Sequence, residues 1–160
     1  MRVDIYSRKD MEELLNNSNF PIKTAVISFY DPKADFHDKD YAPVEYEDKT
    51  DRVFYVPLHD IDIEILDCYG FTYDTFFPEV QDLAKFILDV KADGYRIICQ
   101  CEYGQSRSAG CAAAIREFFH GDGIRIFANY NYYPNQVVYN KVFEALLDEN
   151  EKRKEYHAKT

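Results

Sequence analysis

Residues 97–115 read IICQCEYGQSRSAGCAAAI. An apolar, β-branched run ending at Cys101 predicts a strand over Tyr95 to Cys101. The alanine-rich stretch after it predicts a helix from Ser108 to His120, stopped by Gly121-Asp-Gly. Between the two lie Cys101, five residues, Arg107 and the hydroxyl of Ser108. A short loop that runs straight into a helix turns its backbone N–H groups toward a common centre and makes an anion nest. Gly104 supplies the backbone freedom such a curl requires. Arg107 adds a planar fork able to grip two oxygens of one oxyanion. A thiol facing a helix N-terminus, several N–H groups and a guanidinium has its thiolate form favoured. Cys101 therefore reads as a nucleophile at the floor of the nest, and Ser108 as a hydroxyl able to donate to its sulfur.

Outward from this passage the chain alternates strands and helices. Val3 to Tyr6 reads as a short strand, and Ser7 as the N-cap of a helix over Asp10 to Asn16. Thr24 to Tyr30 (TAVISFY) and Arg52 to Leu58 (RVFYVPL) read as buried strands. Val80, Leu83, Ala84 and Ile87 give helical spacing from Pro78 to Ala92, and a last helix starts near Pro134-Asn135. Asp31 to Thr50 is polar and acidic, and reads as a long surface loop; its acidic part, Asp31 to Asp48, reads by default as a solvated charge run, with a lid over the site or recognition of basic groups around a substrate phosphate as the alternatives. The expected fold is α/β: one domain spanning residues 1–160, with a mostly parallel central sheet flanked by helices. In such sheets ligands bind at the carboxyl ends of the strands, which points to His59–Asp62 and to Cys101–Arg107.

Composition excludes other classes. The chain is 46% hydrophobic and 16% aromatic, as a domain with a real core should be. No apolar run is long enough to span a membrane, and the charged start does not resemble a secretory leader, so a cytoplasmic location is expected. Cys68, Cys99, Cys101 and Cys111 are then reduced thiols, and their spacings do not make a metal site. A net charge of −10 repels nucleic acid and anionic membranes, so neither is an expected partner.

At Cys101–Ser108 the sequence resembles the cysteine-based protein tyrosine phosphatase superfamily, in particular its small dual-specificity-like bacterial members. The resemblance extends over roughly Thr24 to Leu147, through VISFYDP, the Leu58-His-Asp-Ile segment and Tyr133-Pro134-Asn135. It implies hydrolysis of a phosphomonoester through a phosphocysteine intermediate, with no metal and no cofactor. The expected substrate is a phosphorylated protein or a small phosphomonoester. The resemblance further implies that Glu102, Tyr103, Gly104, Gln105 and Ser106 present backbone donors to the phosphate. The family usually carries His immediately before its nucleophile. This chain has Gln100, which can still hydrogen-bond to support the loop.

Expulsion of an alkoxide or phenoxide needs a proton donor. Asp60, just past the Val53–Leu58 strand and on the loop where the family places its acid, is the first candidate. Asp62, Asp67 and Asp74 are rivals, Asp62 the nearest. Glu102 in the loop argues against polyanionic substrates such as phosphoinositides. His59-Asp60 also resembles the paired ligands of metal phosphohydrolases, but the chain has too few further histidines for them. A rhodanese-type sulfur transferase also uses a loop cysteine, and Arg107-Ser108 suits phosphate better. Cys68 or Cys99 could capture an oxidised Cys101, packing being the plainer role for both; Cys111 reads as packing alone.

Overall fold

The β-branched runs form one four-stranded parallel sheet in the order β1-β4-β2-β3. Its strands are β1 (Val3–Ser7), β2 (Thr24–Tyr30), β3 (Val53–Pro57) and β4 (Arg96–Cys101). The helices are α1 (Arg8–Asn16), α2 (Val80–Ala92), α3 (Arg107–His120), α4 (Ile124–Phe127) and α5 (Gln136–Lys159). The computed structural model describes residues 1–17, 19–32, 40–46 and 48–159. None of the described helices is long and apolar enough to cross a membrane.

Side chains alternate across the sheet, as the pleat requires. Ile97, Cys99 and Cys101 of β4 and Ala25, Ile27 and Phe29 of β2 join the main core beneath α2, α3 and α5. Val26 and Ile98 point the other way, onto Met11 of α1, Val44 and Tyr46. Both faces of β2 and β4 are thus covered, which is why their sequences lack an apolar–polar alternation. Register places Ser7 beside Cys101 and Ser28 beside Gln100. The carboxyl ends of β1, β2 and β4 therefore converge on the loop after Cys101.

The expected elements form with shifted ends. Helix α2 starts at Val80 rather than Pro78, and α5 at Gln136, where the side chain of Asn135 accepts from Val138 N at 2.9 Å. Ser7 caps α1 as anticipated, accepting from Asp10 N at 3.1 Å. The reading of Asp31–Thr50 as a surface loop needs correction. Residues 33–39 and 47, on which much of the suggested lid falls, lie outside the described residues, but Val44 and Tyr46 are fully packed against the sheet. The aromatic stretch 127–133 begins in the short helix α4 and leaves Tyr130 and Tyr133 exposed.

Candidate active site

Each loop carbonyl that finds a partner finds it outside the loop or further along α3. Glu102 O accepts from Arg8 N (3.0 Å), Gln105 O from Tyr133 N (2.8 Å), and Ser106 O from Asn135 N (3.0 Å) and Gly110 N (2.8 Å). Among the described residues no N–H from Glu102 to Ser106 donates to a backbone carbonyl. A planar peptide sends its N–H opposite to its C=O, so these outward carbonyls turn the N–H groups of Tyr103, Ser106 and Arg107, which share their peptides, toward the loop's interior. Two glycines permit the winding. Gly104 has φ +67°, and a Cβ on it would lie 2.6 Å from Ser7 N and 3.0 Å from Tyr6 C. A Cβ on Gly110 would lie 2.5 Å from Asn135 O, so α3 and the start of α5 meet backbone to backbone there.

Cys101, Arg107 and Ser108 lie together at the junction of β4 and α3. The Cys101 Sγ lies 3.0 Å from Ser108 Oγ, and both residues are buried. Arg107 is 1% exposed, with Nη1 donating to Asp31 Oδ1 and to Leu58 O, each at 2.7 Å. Its Nε is buried and has no hydrogen-bond partner among the described residues. The nearest carboxylate to that Nε is Asp60 Oδ1, at 3.7 Å. Leaving a buried guanidinium N–H unpaired costs about 1–3 kcal/mol or more, and an acceptor held within the loop would satisfy it. Helix α3 adds its N-terminal partial positive charge to the same place.

The carboxylates sort by their partners. The Asp60 side chain is 37% exposed and stands beside Arg107 at the mouth of the loop. Asp62 is engaged elsewhere: Oδ1 accepts from Ile63 N (2.7 Å) and Val137 N (3.1 Å), and Oδ2 from Gln136 N (2.9 Å). It caps the first turn of α5 and ties the segment after β3 to that helix. Asp67 opens a 3-10 turn over Asp67–Tyr69, and Asp74 neighbours Lys141. His59 packs its ring against Tyr69 and Phe71, at centroid distances of 5.7 and 5.5 Å.

Three residues at the site escaped the sequence reading. Asp31, the first residue past β2, pairs with Arg107. Ser28 and Tyr46 donate to Gln100 Oε1 at 2.6 and 2.8 Å, and Gln100 Nε2 donates to Cys101 O at 3.0 Å. Burial pushes the Tyr46 phenol well up, against a smaller opposing effect of its contact with Ser28. Burial, with Cys111 beside it, pushes the Cys99 thiol up, and Cys68 is exposed.

No family model matches the sequence, and no curated protein matches it. Solved structures do. PTPMT1 in complex with PI(5)P superposes with a TM-score of 0.53 at 16% identity, over 95% of this chain and 94% of that one. PTPMT1 itself gives 0.52 at 16% identity, over 96% of this chain and 95% of that one. Tk-PTP in its active form gives 0.54 at 12% identity, over 91% of this chain and 92% of that one. The chain has the fold of the cysteine-based protein tyrosine phosphatases.

Proposed function

We propose that the chain is a phosphomonoester hydrolase of the protein tyrosine or dual-specificity phosphatase kind, acting through a phosphocysteine on Cys101. The observation that carries this reading is the buried, partnerless Nε of Arg107, set beside inward-facing loop amides and a sulfur at the N-terminus of α3. Three converging sources of positive potential in a water-poor cup stabilise a dianion far better than the same groups would in water.

In this mechanism the N–H groups of Glu102 to Ser106 and the Arg107 fork hold the three non-bridging oxygens. Cys101 Sγ attacks phosphorus as the bond to the leaving oxygen breaks. Asp60 delivers its proton to that oxygen, and the same carboxylate then takes a proton from the water that cleaves the phosphocysteine. Ser108 donates to the departing thiolate. Asp31 holds Arg107 ready, and no cofactor enters any step.

Substrate choice is an extension of the same reading. Glu102 stands in the loop with 31% of its side chain exposed, and the net charge is −10; both favour a singly phosphorylated residue on a protein over a polyanion. PTPMT1, solved with PI(5)P, makes an inositol phospholipid the control substrate to set against a phosphotyrosine peptide. The test is turnover of para-nitrophenyl phosphate by wild type and Cys101→Ser. Hydrolysis abolished by the substitution, with vanadate binding retained by the wild type, supports the enzyme. Vanadate binding with no hydrolysis by the wild type makes the chain a phosphate-binding module of the same fold.

A further inference from the structure

The second buried polar cluster lies on the face of the sheet opposite Cys101, and its chemistry is fully determined by what each atom can do. Cys101 O only accepts, so the Gln100 atom 3.0 Å from it is the amide nitrogen. The amide oxygen then faces Ser28 Oγ at 2.6 Å and Tyr46 OH at 2.8 Å, and both hydroxyls must donate to it. All three side chains are at most 2% exposed, so water does not compete. An amide oxygen has two lone pairs for two donors, whereas a ring nitrogen of neutral histidine has one. The Ser28–Tyr46 pair is thus matched to the glutamine that this chain carries at position 100.

The hydrogen bonds all run in one direction. Hydroxyl protons point at the Gln100 oxygen, and the Gln100 N–H points at the Cys101 carbonyl. That carbonyl belongs to the same peptide unit as the Glu102 N–H, the first donor of the loop. Donation into the carbonyl of an amide polarises its N–H, and chains of such bonds reinforce one another in a low-dielectric interior. We propose that Gln100, oriented by Ser28 and Tyr46, is a positioning residue that fixes the Cys101–Glu102 peptide and strengthens its N–H toward the anion held by the loop. The proposal rests on the phosphate-site reading given above. Unlike an imidazole, this relay contains no group that titrates near neutral pH: burial holds the Tyr46 phenol protonated, and the Gln100 amide does not ionise. Among the described residues no charged side chain hydrogen-bonds to Gln100, and Tyr46 is the one titratable side chain that does.

The test uses Tyr46→Phe, Ser28→Ala, the double variant and Gln100→Leu. Three quantities are read: inorganic vanadate affinity by calorimetry, the rate of iodoacetate alkylation of Cys101 at pH 6.5 by mass spectrometry, and thermal midpoint. Tyr46→Phe keeps the ring's packing and removes one donor, so it is the variant most certain to fold. It is expected to weaken vanadate binding and slow alkylation by about three- to tenfold, the worth of one buried hydrogen bond. The double variant should lose more than the product of the two singles, because each single leaves the Gln100 oxygen one donor and the double leaves it none. If Tyr46→Phe and Ser28→Ala lower the thermal midpoint while vanadate affinity and alkylation stay within twofold of wild type, the cluster is structural alone and the proposal is overturned. Neither readout needs turnover. A chain that shows these effects but hydrolyses nothing sinks the enzyme reading and leaves this inference standing; turnover without them does the reverse.

Discussion

The winding of the loop is tested most sharply by Gly104→Ala. At φ +67° an alanine adopts the left-handed conformation at a cost of about 1–2 kcal/mol. Its Cβ would sit 2.6 Å from Ser7 N, a backbone atom at the junction of β1 and α1 that cannot swing aside. Relieving such a contact by shifting packed backbone costs about 1–3 kcal/mol more. The sum, about 2–5 kcal/mol, can appear in two places. If the loop holds its shape, urea denaturation followed by circular dichroism shows the whole loss, with a thermal midpoint lower by roughly 5–15 °C for a domain of this size. If the loop instead lifts away from Ser7, the Arg8 N–Glu102 O bond breaks and the loss appears as weaker vanadate binding, about thirtyfold or more. Stability within 0.5 kcal/mol of wild type together with vanadate affinity within twofold, limits set at about the scatter of surface substitutions, would refute the contact and with it the loop geometry.

The two neighbouring acids should separate cleanly. Asp60→Asn should lower turnover of poor leaving groups by about a hundredfold or more with an unchanged thermal midpoint, and remove the alkaline limb of the pH–rate profile. Asp62→Ala should remove the α5 cap, costing about 1–2 kcal/mol in denaturant unfolding, and leave that limb in place. Two phenols set an alkaline limit on stability. Tyr46 is raised by burial, and Tyr73 is pushed up to about 12, by burial and by its bond to Glu144. The folded chain keeps these protons while the unfolded chain releases them near 10, so stability is full below about pH 10 and falls as pH rises beyond it. Tyr46→Phe should flatten that fall, read as unfolding midpoints in urea between pH 9 and about 11.5. Gly110→Ala should destabilise the fold by about 1–3 kcal/mol in urea unfolding, because its Cβ meets Asn135 O.

What was legible in the sequence was local. TAVISFY and YRIICQC announce buried strands because each is apolar on both faces. The thiol, the guanidinium and the hydroxyl are legible because one strand–loop–helix passage holds them all. The partners drawn in from elsewhere were hidden. Asp31 meets Arg107 across 76 positions, and Tyr46 meets Gln100 across 54, so only the strand order brings them together. Tyr46 left one trace, the Val44–Tyr46 alternation inside an otherwise acidic stretch, which marks a segment with one face on the core. The choice between Asp60 and Asp62 also turned on distant chain. Asp62 is recognisable as a cap only once the start of α5 is known to lie against it, 74 residues away. Helix α4, at four residues, is too short for a periodic pattern to register.

A crystal structure of the protein soaked with vanadate bears most directly on the central claim. It should show vanadium bonded to Cys101 Sγ at the centre of the loop, with the N–H groups of Glu102 to Ser106 and the unpaired Arg107 Nε donating to its oxygens. Vanadate found elsewhere on the surface, with the Arg107 Nε still lacking a partner and the Cys101 sulfur untouched, would contradict it.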